Sequence, residues 1–196
     1  MSVLTGIVPR WEWRTFGDDF GSAEATLVGG QEPERAQESD EIYVLSQASD
    51  ASVKVRDGLM DVKRLEEVND DGLEQWRPVL KGEFPLGAAD VATMLQALGV
   101  PGETTREEYT REQLLAEVVE TNDSLYAVAV HKRRAHYGFG GCMTEVSEIS
   151  AGGGSIRTIV VEGEDPELIS AAVRELGLQD RPNTCLARGL KTMLGL

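Results

Sequence analysis

The chain has 196 residues, of which 34 are acidic and 19 basic, giving a net charge of −15. A field of that sign excludes general nucleic-acid coating and binding to anionic membranes, and no apolar run approaches the roughly 20 residues of a bilayer span. Two cysteines and two histidines are too few for a disulfide scaffold or a zinc centre, so any metal should be hard and oxygen-liganded. The length fits one domain, taken as residues 1–196. No basic region followed by an apolar run opens the chain, so a cytoplasmic location is expected.

Strand signals fill the first eighty residues. Trp11 to Phe16 alternates aromatic and charged side chains. The polar, acidic stretch from Gly29 to Asp40 reads as a loop before a short apolar strand, Ile42 to Ser46. Val53-Lys54-Val55-Arg56 alternates apolar and basic residues, Asp57-Gly58 gives a hairpin turn, and Met60 to Leu65 returns. Gln75 to Lys81 is a further strand.

Helical spacing follows. Val91, Met94, Leu95 and Leu98 fall on one face before Gly99 and Pro101. Thr110 and Gln113 have capping-box spacing ahead of Leu114, Leu115 and Val118. Strands return at Leu125 to Arg134, Cys142 to Ile149 and Ile156 to Glu162, the last two joined by a glycine hairpin at 152–154. That run lacks the Lys-Ser/Thr ending of a phosphate loop. Asp165 and Pro166 start a helix that stops before Gly177, and Asn183 to Leu194 reads as the last helix. Strands, helices, strands, helices in that order predict an α+β fold. Trp11, Trp13 and Trp76 are expected to pack outside the sheet, and Cys142 and Cys185 to be small core residues.

The placement of charge is the informative feature. Over the strand cores 10–14, 42–46, 53–56, 61–63, 75–81, 128–134, 142–149 and 156–162, 46 residues carry eleven bases and five acids, whereas the other 150 carry eight bases and 29 acids. The plain reading is a set of wet strand faces with the bases outward. Such a face should share the acidity of the rest of the surface, and it does not. Basic strands inside an acidic shell fit a closed barrel with a cationic interior. Crowded, desolvated like charges need a compensating anion, and a narrow polyanion such as a triphosphate supplies one.

On these residues the chain resembles the CYTH family, the triphosphate tunnel metalloenzymes, from about Pro9 to Leu194. Val53 to Arg56 is similar to the family's apolar–basic strand, and Asp61-Val62-Lys63 to the strand after it. Trp76-Arg77 resembles an arginine-led strand, Lys132 and Arg134 the basic strand beyond the helical insert, and Thr144 to Glu148 the acidic strand. Leu176-Gly177-Leu178 and the segment with Arg188 and Lys191 resemble the family's ending. The resemblance implies an antiparallel β-barrel tunnel with helices packed outside. It also implies a triphosphate-containing small molecule held by Arg14, Lys54, Arg56, Lys63, Arg77, Lys132, Arg134 and Arg157. Mg²⁺ or Mn²⁺ would lie on Glu12, Glu145, Glu148 and Glu162, with Glu12 and Glu148 as catalytic groups. The pattern departs from the family at Arg10, Val79 and Lys81, which stand where it has glutamates and so reduce the carboxylate count, and at Arg14, which stands where it has a lysine. Glu145 and Glu148 have opposite parity, so both face inward only across a bulge.

These readings imply a metal-assisted phosphohydrolase acting on inorganic tripolyphosphate, a nucleoside triphosphate or thiamine triphosphate. The alternative is a non-catalytic organic-phosphate or polyphosphate binding protein that has lost part of the metal site. A third reading is an interaction module whose acidic shell meets a basic partner. His131 and His136 flank the basic strand and are expected at the surface.

Overall fold

The computed structural model describes residues 8–29 and 31–196. In chain order the first elements are β1 (Arg10–Gly17), α1 (Ser22–Val28), β2 (Arg35–Ser46), β3 (Ser52–Arg56), β4 (Leu59–Val68) and β5 (Glu74–Glu83). Then come β6 (Leu86–Gly87), α2 (Ala88–Ala97), β7 (Glu108–Tyr109) and α3 (Arg111–Leu114), which runs on as a π-helical turn over Leu115–Val119. The chain ends with β8 (Leu125–Phe139), β9 (Cys142–Ala151), β10 (Gly154–Gly163), α4 (Pro166–Glu175) and α5 (Leu186–Leu194).

Eight strands close an antiparallel barrel in the order β1-β10-β9-β8-β2-β3-β4-β5, with β5 returning to β1. The turns sit where the sequence places them. Asp57 and Gly58 both have positive φ, as a two-residue hairpin demands, and so do Gly152 and Gly153. Thr110 and Gln113 form the reciprocal capping box, and Asp165 caps α4 through the Glu167 amide.

Two helical layers cover the outside of the barrel. Val91 and Met94 of α2, with Leu98 just beyond it and Leu114, pack on Val53, Val55, Met60 and Val62. Leu27 of α1 and Ile169 and Val173 of α4 cover Trp11, Trp13, Ile159 and Val161. Helix α5 does something different. Leu186, Ala187 and Leu190 pack on Tyr43, Leu45, Val130 and Ile149, which share strand parity with the interior residues. The helix therefore stoppers one end, and the barrel is a cup. Burying Leu190 completely stabilises this stopper by about 2–3 kcal/mol.

Four expectations change. The acidic stretch before Ile42 is a strand from Arg35 onward, because it pairs with the basic half of β8: Glu38 faces Arg133 and Asp40 faces His131. Opposite charges across a ladder offset its poor β propensity. Helix α1 has no strong sequence signal. The last helix starts at Leu186, because Asn183 and Thr184 bind β1 instead: the Arg14 amide donates to the Asn183 side chain at 2.8 Å and the Thr184 amide to the Arg14 carbonyl at 2.7 Å. Trp76 faces the barrel interior, for a reason that also moves Arg77.

Candidate functional site: a cationic cup

Strand parity builds the site. On β1, Glu12 and Arg14 point inward while Trp11 and Trp13 point to the helices. Register carries the inward set across the sheet. Glu12 faces Glu162, Val160 faces Glu145, Glu145 faces His136, and Tyr43 faces Lys54, which faces Asp61. The result is an internal cavity of about 220 Å³. Arg14, Lys54, Lys63, Lys132 and Arg134 line it, with the carboxylates Glu12, Asp50, Asp61, Glu145 and Glu162. Cys185, Leu186 and Ala187 at the start of α5 form its floor, which sets the positive end of that helix dipole there.

The carboxylates are occupied. Glu12 accepts from Arg14 Nε at 2.8 Å and Glu162 from Arg10 Nη1 at 3.0 Å. Glu145 meets His136 at 3.1 Å and Lys132 at 3.7 Å. Asp50 is held by Arg188 and Lys191 from α5. Just beyond the cavity, Glu41 is fully buried and takes Arg134 at 2.6 Å and the Tyr43 hydroxyl at 3.0 Å.

The cations are less well served. Lys54 comes only within 3.9 Å of Asp61, and Lys63 has no ion-pair partner among the described residues. Arg134 Nε and His136 Nδ1 are buried without a hydrogen-bond partner among the described residues. Burial pulls the Lys132 ammonium down to about 8, against the attraction of Glu145 and with repulsion from Arg14 and Arg134 added. Burial likewise lowers Lys54, opposing Glu41 and Asp61. Burial alone would raise Glu41, but the Arg134 hydrogen bond and the nearby lysines bring it to about 2. Burial would raise Glu145 too, and the His136 hydrogen bond with Lys132 and Arg14 holds it well below the usual carboxylate range. The Cys185 thiol is pushed up to about 11 by burial and stays protonated, so it is no nucleophile at neutral pH.

Of the residues singled out in the sequence, Glu12, Arg14, Lys54, Lys63, Lys132, Arg134, Glu145 and Glu162 come together here. Four do not. Glu148 faces outward, because β9 and β10 pair in unbroken register and no bulge brings it round to the side of Glu145. Arg157 has the outward parity of β10; it pairs with Glu24 of α1 and stacks on Phe20. Arg77 points out to Glu66 at 2.7 Å, since Val79 is an extra residue between the Val62–Leu80 and Lys63–Pro78 pairs. That bulge reverses parity and turns Trp76 inward. Arg56 shares the face of Lys54 but lies past the cavity, paired with Glu41 at 3.4 Å and Asp57 at 3.5 Å.

The site also holds residues the sequence did not point to, Tyr43, Asp50, Asp61 and Trp76 among them. Parity from Lys54 and Lys63 would have found Asp61. His136, expected at the surface, is inside because β8 is long enough to keep alternating.

A divalent metal would need several free oxygens on one side of the cavity. Among the described residues no group of three or more Asp, Glu, His or Cys is placed to hold one. Of the four expected ligands, Glu148 is outside and the others each carry a cation. The residues present do not fit a protein-built metal centre.

The likeness to solved structures agrees with this geometry. A Hippeastrum protein, described as a provisional adenylyl cyclase with a dominant triphosphatase activity, superposes with a TM-score of 0.50. It is 14% identical, over 95% of this chain and 96% of its own. A provisionally assigned adenylate cyclase from Bacillus halodurans gives 0.52 at 12% identity, over 89% and 93% of the two chains. At such identities the likeness is one of fold, a closed antiparallel barrel with helices outside, and it agrees with the fold that the family resemblance implies. No family model and no curated protein matches the sequence. Among the described residues no helix is long and apolar enough to cross a membrane.

Proposed function

We propose that the cup binds a small molecule bearing a triphosphate or a chemically equivalent polyanion. The observation that carries this is the set of Lys54, Lys63 and Lys132 lining one cavity, two of them desolvated and none within 3.5 Å of a carboxylate. Such charges are costly until an anion arrives. Arg14 and Arg134, anchored from behind by Glu12 and Glu41, add directed donors for phosphoryl oxygens. The cavity is too small to enclose a nucleoside as well, so any organic part lies toward the open end.

Binding is the use that the occupied carboxylates favour. Hydrolysis is a second reading, favoured by the activity ascribed to the Hippeastrum protein. In that case the lysines and arginines would absorb charge in the transition state. Mg²⁺ or Mn²⁺, expected from the family resemblance, would then have to arrive with the substrate.

Thermal melts and phosphate release with inorganic tripolyphosphate and ATP separate these uses. Tripolyphosphate is expected to raise the melting temperature, and Lys54→Ala and Lys63→Ala to remove most of that rise. Phosphate release that disappears in the same variants establishes hydrolysis. No rise and no release contradicts the proposal.

A further inference from the structure

The cup contains five carboxylates, and four are held by basic side chains: Glu12 by Arg14, Glu162 by Arg10, Glu145 by Lys132 with a contact to His136, and Asp50 by Arg188 and Lys191, while Asp61 comes no nearer than 3.9 Å to Lys54. Two of these cations come from β1 itself. Arg10 and Arg14 share the parity of Glu12 and reach the two acids, Glu12 and Glu162, that face each other across the β1–β10 ladder. That facing pair is the natural start of a cation site, because two carboxylates in register repel unless something positive joins them. Here each acid has its own guanidinium, Glu12 from Arg14 and Glu162 from Arg10. Arg14 is almost wholly buried, so its charge is fixed in the wall of the cup. A divalent ion placed beside it would face Arg14, Lys132 and Arg134 at close range in a poorly screened interior.

We infer that the cup takes its polyanion without a divalent metal, with Arg10 and Arg14 standing where the cation would be needed. The inference rests on the polyanion reading and adds the form of the ligand: free polyphosphate rather than its magnesium chelate. Arg14 keeps donors beyond the Nε that holds Glu12, so it serves the acid and a phosphoryl oxygen together. Magnesium should therefore compete for the ligand instead of recruiting it.

Two measurements on the full chain test this. The first is calorimetric titration with inorganic tripolyphosphate in excess chelator and again in excess Mg²⁺. Binding in chelator, weakened at least several-fold by Mg²⁺, is the expected result. Binding that needs Mg²⁺, or tightens tenfold with it, overturns the inference and leaves the polyanion reading intact. Absence of binding in both conditions overturns both. The second is the free Mn²⁺ spectrum in electron paramagnetic resonance with protein and no phosphate. The wild type should leave the six-line signal unchanged, while Arg10→Glu, which releases Glu162 and adds a third carboxylate, should attenuate it. Attenuation by the wild type overturns the inference. A folded Arg10→Glu variant without attenuation overturns the assignment of Arg10 as the metal's substitute.

Discussion

Lys132 shows how a group proposed to hold the anion is maintained at a cost to the fold. Its proton is held with a pKa of about 8 in the folded chain against 10.5 as the reference. The unfolded chain therefore binds more protons between those values, and stability rises with pH across that window. Below about pH 8 the full penalty of the buried charge is present, roughly 3 kcal/mol. Lys132→Met is expected to raise the melting temperature of the free protein at pH 7 while abolishing tripolyphosphate binding. A drop in melting temperature with binding retained would show the lysine to be structural. Because a polyanion favours the charged lysine, affinity should fall as pH rises through about 8. Glu41 contributes stabilisation where Lys132 imposes a penalty, though stability again rises with pH. Its pKa, lowered from 4.5 to about 2, gives stability present above pH 4.5 and lost as the pH falls toward 2. Acid melts of Glu41→Gln should accordingly lack part of the wild-type loss in that range.

At the scale of elements, parity decides nearly everything, and parity is what a sequence conveys least securely. Alternation placed Lys54 and Lys63 correctly because β3 and β4 run straight through those positions. It misplaced Arg77 and Trp76 because one extra residue, Val79, resets the count in β5, and nothing in Pro78-Val79-Leu80 announces a bulge. It could bring both Glu145 and Glu148 inward only across a bulge, and the unbroken β9–β10 register leaves Glu148 outside. The acidic start of β2 looked like a loop because its strand character comes from the partner strand and not from its own residues. Helix α5 was legible as a helix but not as a stopper, since its role depends on the interior it enters. Gly189 marks the closeness of that fit. A Cβ there would run into the Phe16 ring. Gly189→Ala should therefore destabilise the protein by about 1–3 kcal/mol, despite a gain in helix propensity of about 1 kcal/mol. A chemical-denaturation series reads the net effect, and a more stable variant would show that α5 is loosely seated.

Across the whole molecule the charge pattern is simpler than the sequence suggested and serves the same end. With the observed barrel strands as bounds, 13 bases face 12 acids, while the rest of the chain has 6 bases and 22 acids. The strands are thus nearly neutral, and the interior is cationic only where lysines lack close partners. The barrel was readable because the strand segments are far less acidic than the rest of the chain on either set of bounds, and the proposed polyanion site was read from alternation at Lys54 and Lys63. The state of the carboxylates was not, because pairing across strands depends on register. The most direct test of the account is calorimetric titration of tripolyphosphate into the wild type and Lys63→Ala in two buffers of different ionisation enthalpy at pH 8. The account predicts one saturable site, proton uptake on binding and loss of most affinity in the variant. Binding without proton uptake that Lys63→Ala leaves unchanged would place the anion outside the cup and contradict it.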